Sequence, residues 1–105
     1  MPQKISPAEA KAWLGREPGI VLLDVRTGAE HRKKTIPGSI CLPLDRLGDE
    51  AAARLPDRNT VIIVYCQYGG RSAKAAALLE KNGYERVYDL GGIVNWPYET
   101  VHGGA

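Results

Sequence analysis

The stretch IIVYCQYGGRSAKAAALLEKNG, residues 62–83, decides the fold. It opens as an unbroken apolar run, the pattern of a strand covered on both faces in a parallel sheet. The run stops at Cys66, turns through Gly69 and Gly70, and restarts as a helical pattern from Ser72 to Asn82. Ala75, Ala76, Leu78 and Leu79 fall on one side of that helix, Lys74 and Lys81 on another, and Gly83 supplies a stop. Strand, glycine turn and helix make one βα unit. In open α/β sheets ligands gather beyond the carboxyl ends of the strands, which is where Cys66 stands.

The flanking sequence repeats the pattern. Toward the N-terminus, Ser6, Pro7 and Glu9 give a capping box with proline at the first helical position. Ala10, Trp13 and Leu14 then mark one buried helical face, and Gly15 is expected to close the helix. GIVLLDV (19–25) reads as a second buried strand. Thr27 and Glu30 repeat the capping-box spacing ahead of a short polar helix, and Pro37-Gly38 turns the chain into SICLPL (39–44), another short strand. Asp45 to Leu55 reads as a helix ending before Pro56. ERVYDL (85–90) is a last strand, Gly91-Gly92 is expected to open a short helix containing Val94 and Trp96, and VHGGA (101–105) is expected to fray. Strands alternating with helices of this length imply a mostly parallel α/β sheet with helices on both faces.

Composition narrows the function. A chain of 105 residues supports one domain with one core, and its 44% hydrophobic and 25% charged residues are those of an ordinary globular protein without a membrane span. A net charge of +2 is too weak and too evenly spread for nucleic acid, and Arg32-Lys33-Lys34 reads as a solvated helix end. The opening MPQKISPAEA lacks the apolar centre of a signal peptide, which makes the cytoplasm the expected compartment. Cys41, Cys66, His31 and His102 fit no zinc spacing, so neither metal nor cofactor is expected. Cys41 reads as a buried strand residue, and a single disulfide in a compact cytoplasmic domain would be unusual.

The loop Cys66-Gln67-Tyr68-Gly69-Gly70-Arg71 feeds straight into a helix whose first amides lack partners inside it. Glycines allow successive N–H groups to turn inward, and Arg71 adds a cation. A thiolate or a bound oxyanion would be stabilised there, and Cys66 is expected to be a partly exposed nucleophile.

YCQYGGRS, together with LLDVRTGAEHRKKTIPGSICLPL upstream and VYDLGGIVNW downstream, resembles the rhodanese family of sulfurtransferases in its single-domain form. The resemblance implies one rhodanese-like domain over residues 1–105, built on a five-stranded mostly parallel sheet. It also implies that Cys66 is the catalytic nucleophile, taking a sulfane sulfur from thiosulfate or another persulfide source and passing it on to a thiophilic acceptor. Cyanide is the usual laboratory acceptor, and a protein can serve as donor or acceptor. Gln67, Tyr68, Gly69, Gly70, Arg71 and Ser72 would bind the donor, with Asp24 and Arg26 in support. Arg71 would either face the anion or turn inward to pair with an acid.

Two departures stand out. Gln67 and Tyr68 are neutral where thiosulfate enzymes of the family carry positive residues, and Thr35 stands where a histidine is common. Two rival readings follow. A rhodanese-like module could carry persulfide or regulate without turnover. A phosphatase or arsenate reductase on the same fold would need five residues between cysteine and arginine, whereas four separate Cys66 from Arg71.

Overall fold

A computed structural model describes residues 2–103. The strands are β1 (Gln3–Lys4), β2 (Val21–Asp24), β3 (Ile40–Cys41), β4 (Ile62–Cys66) and β5 (Val87–Gly92), and the helices are α1 (Pro7–Arg16), α2 (Gly28–Lys33), α3 (Leu44–Arg54) and α4 (Gly70–Lys81). A 3-10 turn, Ile93–Asn95, follows β5. The five strands form one sheet in the order β1-β5-β4-β2-β3, and every neighbouring pair is parallel. All five residues of β4 are buried, as its apolar run requires at the centre of a sheet covered on both sides.

One face of the sheet packs Leu23, Val64 and Cys66 against Leu47 and Ala51 of α3 and Ala75, Ala76 and Leu79 of α4. The other packs Leu22, Ile63 and Tyr65 against Ala10 of α1, Ile93 and Trp96. No helix among the described residues is long and apolar enough to cross a membrane.

Local sequence signals set most boundaries. Ser6 and Glu9 cap α1 reciprocally, and Thr27 and Glu30 do the same for α2. Four expectations need correction. β1 escaped the sequence reading because two exposed residues, Gln3 and Lys4, carry no apolar pattern and are ordered by pairing with β5. Gly15 does not end α1, which continues through Arg16 to a cap at Glu17. Gly91-Gly92 completes β5 as well as leading into the last turn, whose N-cap is Gly92 and which holds Val94 but leaves Trp96 at its C-cap. Cys41 is partly rather than fully buried, since β3 is the edge strand.

The C-terminal tail is also tied down as far as it is described. Val101 and Thr35 exchange both backbone hydrogen bonds, 2.8 and 2.9 Å, and the Gly103 amide donates to Arg32 O at 3.0 Å. Gly104 and Ala105, which share the expectation of fraying, lie outside the described residues.

Tyr65 anchors the segment after α2. Its ring is fully buried, while its hydroxyl lies 2.5 Å from Thr35 Oγ1 and 2.9 Å from Ser39 Oγ and accepts from the Ile36 amide at 3.2 Å. Thr35, standing where the resembled family often has histidine, is thus a member of a hydroxyl cluster that also reaches His31 Nδ1 at 3.1 Å. Removing the phenolic oxygen leaves the buried Ile36 N–H without this acceptor, at a cost of about 1–3 kcal/mol. Tyr65→Phe is therefore expected to lower the urea midpoint without changing the slope of the transition. An unaltered midpoint would show that the cluster contributes nothing to stability.

Candidate active site

Cys66 ends β4, and the chain then curls back over it. Gly69 makes the turn with φ at 114°, a left-handed conformation that side-chain-bearing residues avoid, and serves as the N-cap of α4. Curling aims two amides at one sulfur: the Gly69 N–H donates to Cys66 Sγ at 2.9 Å and the Ser72 N–H at 3.3 Å. Both come from the start of a 12-residue helix, where unsatisfied N–H groups and the helix dipole favour negative charge. A sulfur held this way is suited to bear charge.

The curl also hides the thiol. Cys66 is 1% exposed, which corrects the expectation of partial exposure. The physical reason lies in β5. Val64 pairs with Asp89 but Tyr65 pairs with Gly91, so Leu90 is an extra residue that brings Gly91 and Gly92 opposite Tyr65 and Cys66. A Cβ at Gly92 would stand 2.5 Å from Gln67 O and 2.8 Å from Tyr68 Cα, so the loop backbone rests directly on a strand that has no side chain there. The Val94 amide adds a 3.3 Å bond to Gln67 O.

The side chains around the loop divide by task. Arg71 turns to Glu30, with Nη1 and Nη2 donating at 2.8 and 3.0 Å, so of the two roles open to it in the sequence it takes the inward one. The same carboxylate caps α2 through the Thr27 amide at 3.0 Å. Hydrogen bonds from Arg71 lead among the forces that hold Glu30 down at about 2, against a smaller opposing effect of burial. Gln67 points its Oε1 at Arg26 Nη1, 3.1 Å away. Tyr68 is 79% exposed at the tip of the loop. The Ser72 hydroxyl lies within bonding distance of Asp89 Oδ1, 2.7 Å, and Gly69 O, 3.0 Å.

Asp24 and Arg26 form a buried pair beside the loop. Asp24 Oδ1 accepts from the Arg26 amide at 2.9 Å and from Nε at 3.0 Å, and Oδ2 accepts from Nη2 at 2.8 Å. Arg26 Nη2 also donates to Lys34 O at 2.6 Å. Burial opposes the charge on Arg26, but hydrogen bonding and attraction to Asp24 outweigh it and its pKa is raised. The structure thus brings Cys66 to Ser72, Asp24 and Arg26 into one neighbourhood.

Sequence reasoning missed three participants. Asp89 accepts from Ser72 and from the Gly91 amide, and its signal was a carboxylate inside an otherwise apolar strand. His31 Nδ1 lies 2.9 Å from Asp24 Oδ2. Gly92, expected only to open the last helix, is also the floor of the loop. Cys41 stands aside: its Sγ–H donates to Arg26 O at 3.6 Å, burial raises its pKa, and neither cysteine is in a disulfide.

Replacing Glu30 by Gln tests the Arg71 contact, because Gln keeps the cap acceptor and removes the charge. Glu30 is depressed when folded, so the stability it lends is present above its ordinary value of 4.5 and is lost as pH falls toward about 2. At neutral pH Glu30→Gln is expected to be less stable by about 1 kcal/mol after allowance for solvent screening of a partly exposed pair. Unfolding curves of the two proteins should converge between these pH values; a gap that persists below pH of about 2 would place the effect elsewhere.

Comparison with known proteins follows the same lines. The family profile described as Rhodanese-like domain matches residues 6–98. Thiosulfate sulfurtransferase GlpE of Pseudomonas savastanoi pv. phaseolicola is 36% identical over 106 aligned positions, covering 96% of this chain and 96% of its own. Thiosulfate sulfurtransferase PspE of Escherichia coli is 31% identical over 81 residues, covering 77% and 78%. Among solved structures, a rhodanese with anions from E. coli matches with a TM-score of 0.73 at 30% identity, over 79% of this chain and 98% of that one.

Proposed function

The chain belongs to the rhodanese-like family, whose matched relatives include the thiosulfate sulfurtransferases GlpE and PspE, and on that premise we propose that it transfers a sulfane sulfur through a persulfide on Cys66. The observation that carries this reading is the Cys66 sulfur accepting two amide N–H groups at the start of α4.

In the first half-reaction the Cys66 thiolate attacks the outer sulfur of thiosulfate. A new S–S bond forms at Cys66, the S–S bond of the donor breaks, and sulfite leaves with the electron pair. Cys66 is left as a persulfide whose outer sulfur carries the negative charge. In the second half-reaction a nucleophile such as cyanide takes that outer sulfur, and Cys66 recovers its electron pair as thiolate. Amides from Gln67 to Ser72 hold the anion in both halves, because main-chain donors already aimed at the sulfur need no reorganisation when charge arrives.

Side chains then act indirectly. Arg71 fixes the start of α4 to α2 through Glu30 instead of covering the sulfur, which favours sulfur transfer over the phosphatase alternative. Arg26, held by Asp24, fixes Gln67 and with it the first residue of the loop. The Gln67 side chain is thus a positioning group, a change from the donor-binding role expected of it.

Thiocyanate formation from thiosulfate and cyanide tests the proposal. Cys66→Ser is expected to abolish it and Cys41→Ser to retain most of it. Thiocyanate production by folded Cys66→Ser would overturn the persulfide reading.

A further inference from the structure

Sulfur transfer on the Cys66 amides leaves one buried acid without a part. Asp89 interrupts the apolar pattern of β5, and its Oδ1 accepts twice: from the Ser72 hydroxyl at 2.7 Å and from the Gly91 amide at 2.9 Å. The first distance is that of a charge-assisted O–H···O⁻ bond. Gly69 O, 3.0 Å from the same hydroxyl, already takes the Ala73 amide at 3.1 Å, so the single hydroxyl proton is free to commit to the carboxylate. Oδ2 faces the Lys4 ammonium group at 3.6 Å, on a side chain that is exposed.

The two bonds made by Oδ1 reach both amides that end on the sulfur. Ser72 lies in the first turn of α4, where its amide has no carbonyl partner inside the helix and donates to Cys66 Sγ instead. Fixing its hydroxyl fixes the residue that carries this donor. Gly69, which carries the other donor, rests on the segment that Asp89 holds: a Cβ built on Gly69 would meet Gly91 Cα at 3.8 Å and Gly92 N at 3.9 Å. One oxygen thus ties the first turn of α4 to the strand beneath the loop, just before the extra residue Leu90.

We propose that Asp89 is a positioning residue for sulfur transfer, holding the Ser72 and Gly69 amides on Cys66 through the Ser72 hydroxyl and the Gly91 amide. The inference rests on the sulfur-transfer reading of Cys66. Asp89 acts through the main chain and not on the sulfur itself. Its negative charge opposes a second negative charge nearby, so its contribution comes from the acceptor oxygen and its place in the strand. An uncharged side chain with an oxygen at the same position does the same work, and a side chain without one does not.

The test measures thiocyanate formation from thiosulfate and cyanide in wild type, Asp89→Asn, Asp89→Ala, Ser72→Ala and the Asp89→Ala/Ser72→Ala double variant, and follows the Ser72 amide by proton–nitrogen correlation NMR. Asp89→Asn is expected to stay within about threefold of the wild-type rate, whereas Asp89→Ala falls by about tenfold to a hundredfold, the cost of displacing groups that are still present. Ser72→Ala should fall several-fold. The double variant should be no slower than Asp89→Ala, because the two side chains act through one bond. A wild-type rate in folded Asp89→Ala or in Ser72→Ala, losses that multiply in the double variant, or an Asp89→Asn rate as low as that of Asp89→Ala overturns the assignment. Should Asp89→Ala not fold, Ser72→Ala and Asp89→Asn decide it by the same criteria. The Ser72 amide separates this claim from sulfur transfer, since its signal needs no turnover. If wild type forms no thiocyanate, the sulfur-transfer reading falls. A Ser72 signal that moves in Ser72-containing Asp89→Ala and stays in Asp89→Asn then still supports the positioning role, and one that stays in both overturns it.

Discussion

The buried ion pair between Asp24 and Arg26 is the constraint around which the carboxyl ends of the strands are arranged. Two charges withdrawn from water are tolerable only when nearly every polar atom has a partner. Here Asp24 takes the amide and guanidinium of Arg26 and contacts His31, while Arg26 reaches onward to Gln67 and to the main chain at Lys34. One pair thereby connects the end of β2, the exit of α2 and the first residue of the Cys66 loop. Breaking it would leave an unpaired charge in the interior, a penalty of several kcal/mol that falls where the site is built.

That frame leaves the chemistry to the main chain. The groups directed at Cys66 are amides of Gly69 and Ser72, whose positions follow from a left-handed turn and from the close approach of Gly92. Side-chain cations near the loop are occupied elsewhere: Arg71 joins two helices through Glu30, and Arg26 stays with Asp24. Under the proposed sulfur transfer, the backbone donors hold the charge on sulfur while these side chains hold the loop.

Much of this was legible because its causes are local. Ser6 with Glu9 and Thr27 with Glu30 cap their own helices, so spacing alone reveals them. The apolar run of β4 is buried because it is central, and its composition says so. The rest depends on partners distant in sequence. Arg71 meets Glu30 across 41 residues, which no local pattern specifies. The burial of Cys66 depends on Gly92 and on the extra residue in β5, so glycines that read as the start of a helix prove also to be a strand end. β1 is ordered by β5 rather than by its own two residues.

Intact-mass spectrometry of the protein before and after incubation with thiosulfate tests most directly the claim that Cys66 carries sulfur in this cradle. The account predicts a gain of one sulfur atom in wild type, its absence in Cys66→Ala, and its removal by cyanide. A wild-type protein that gains no mass, or that gains it at Cys41, would contradict the account.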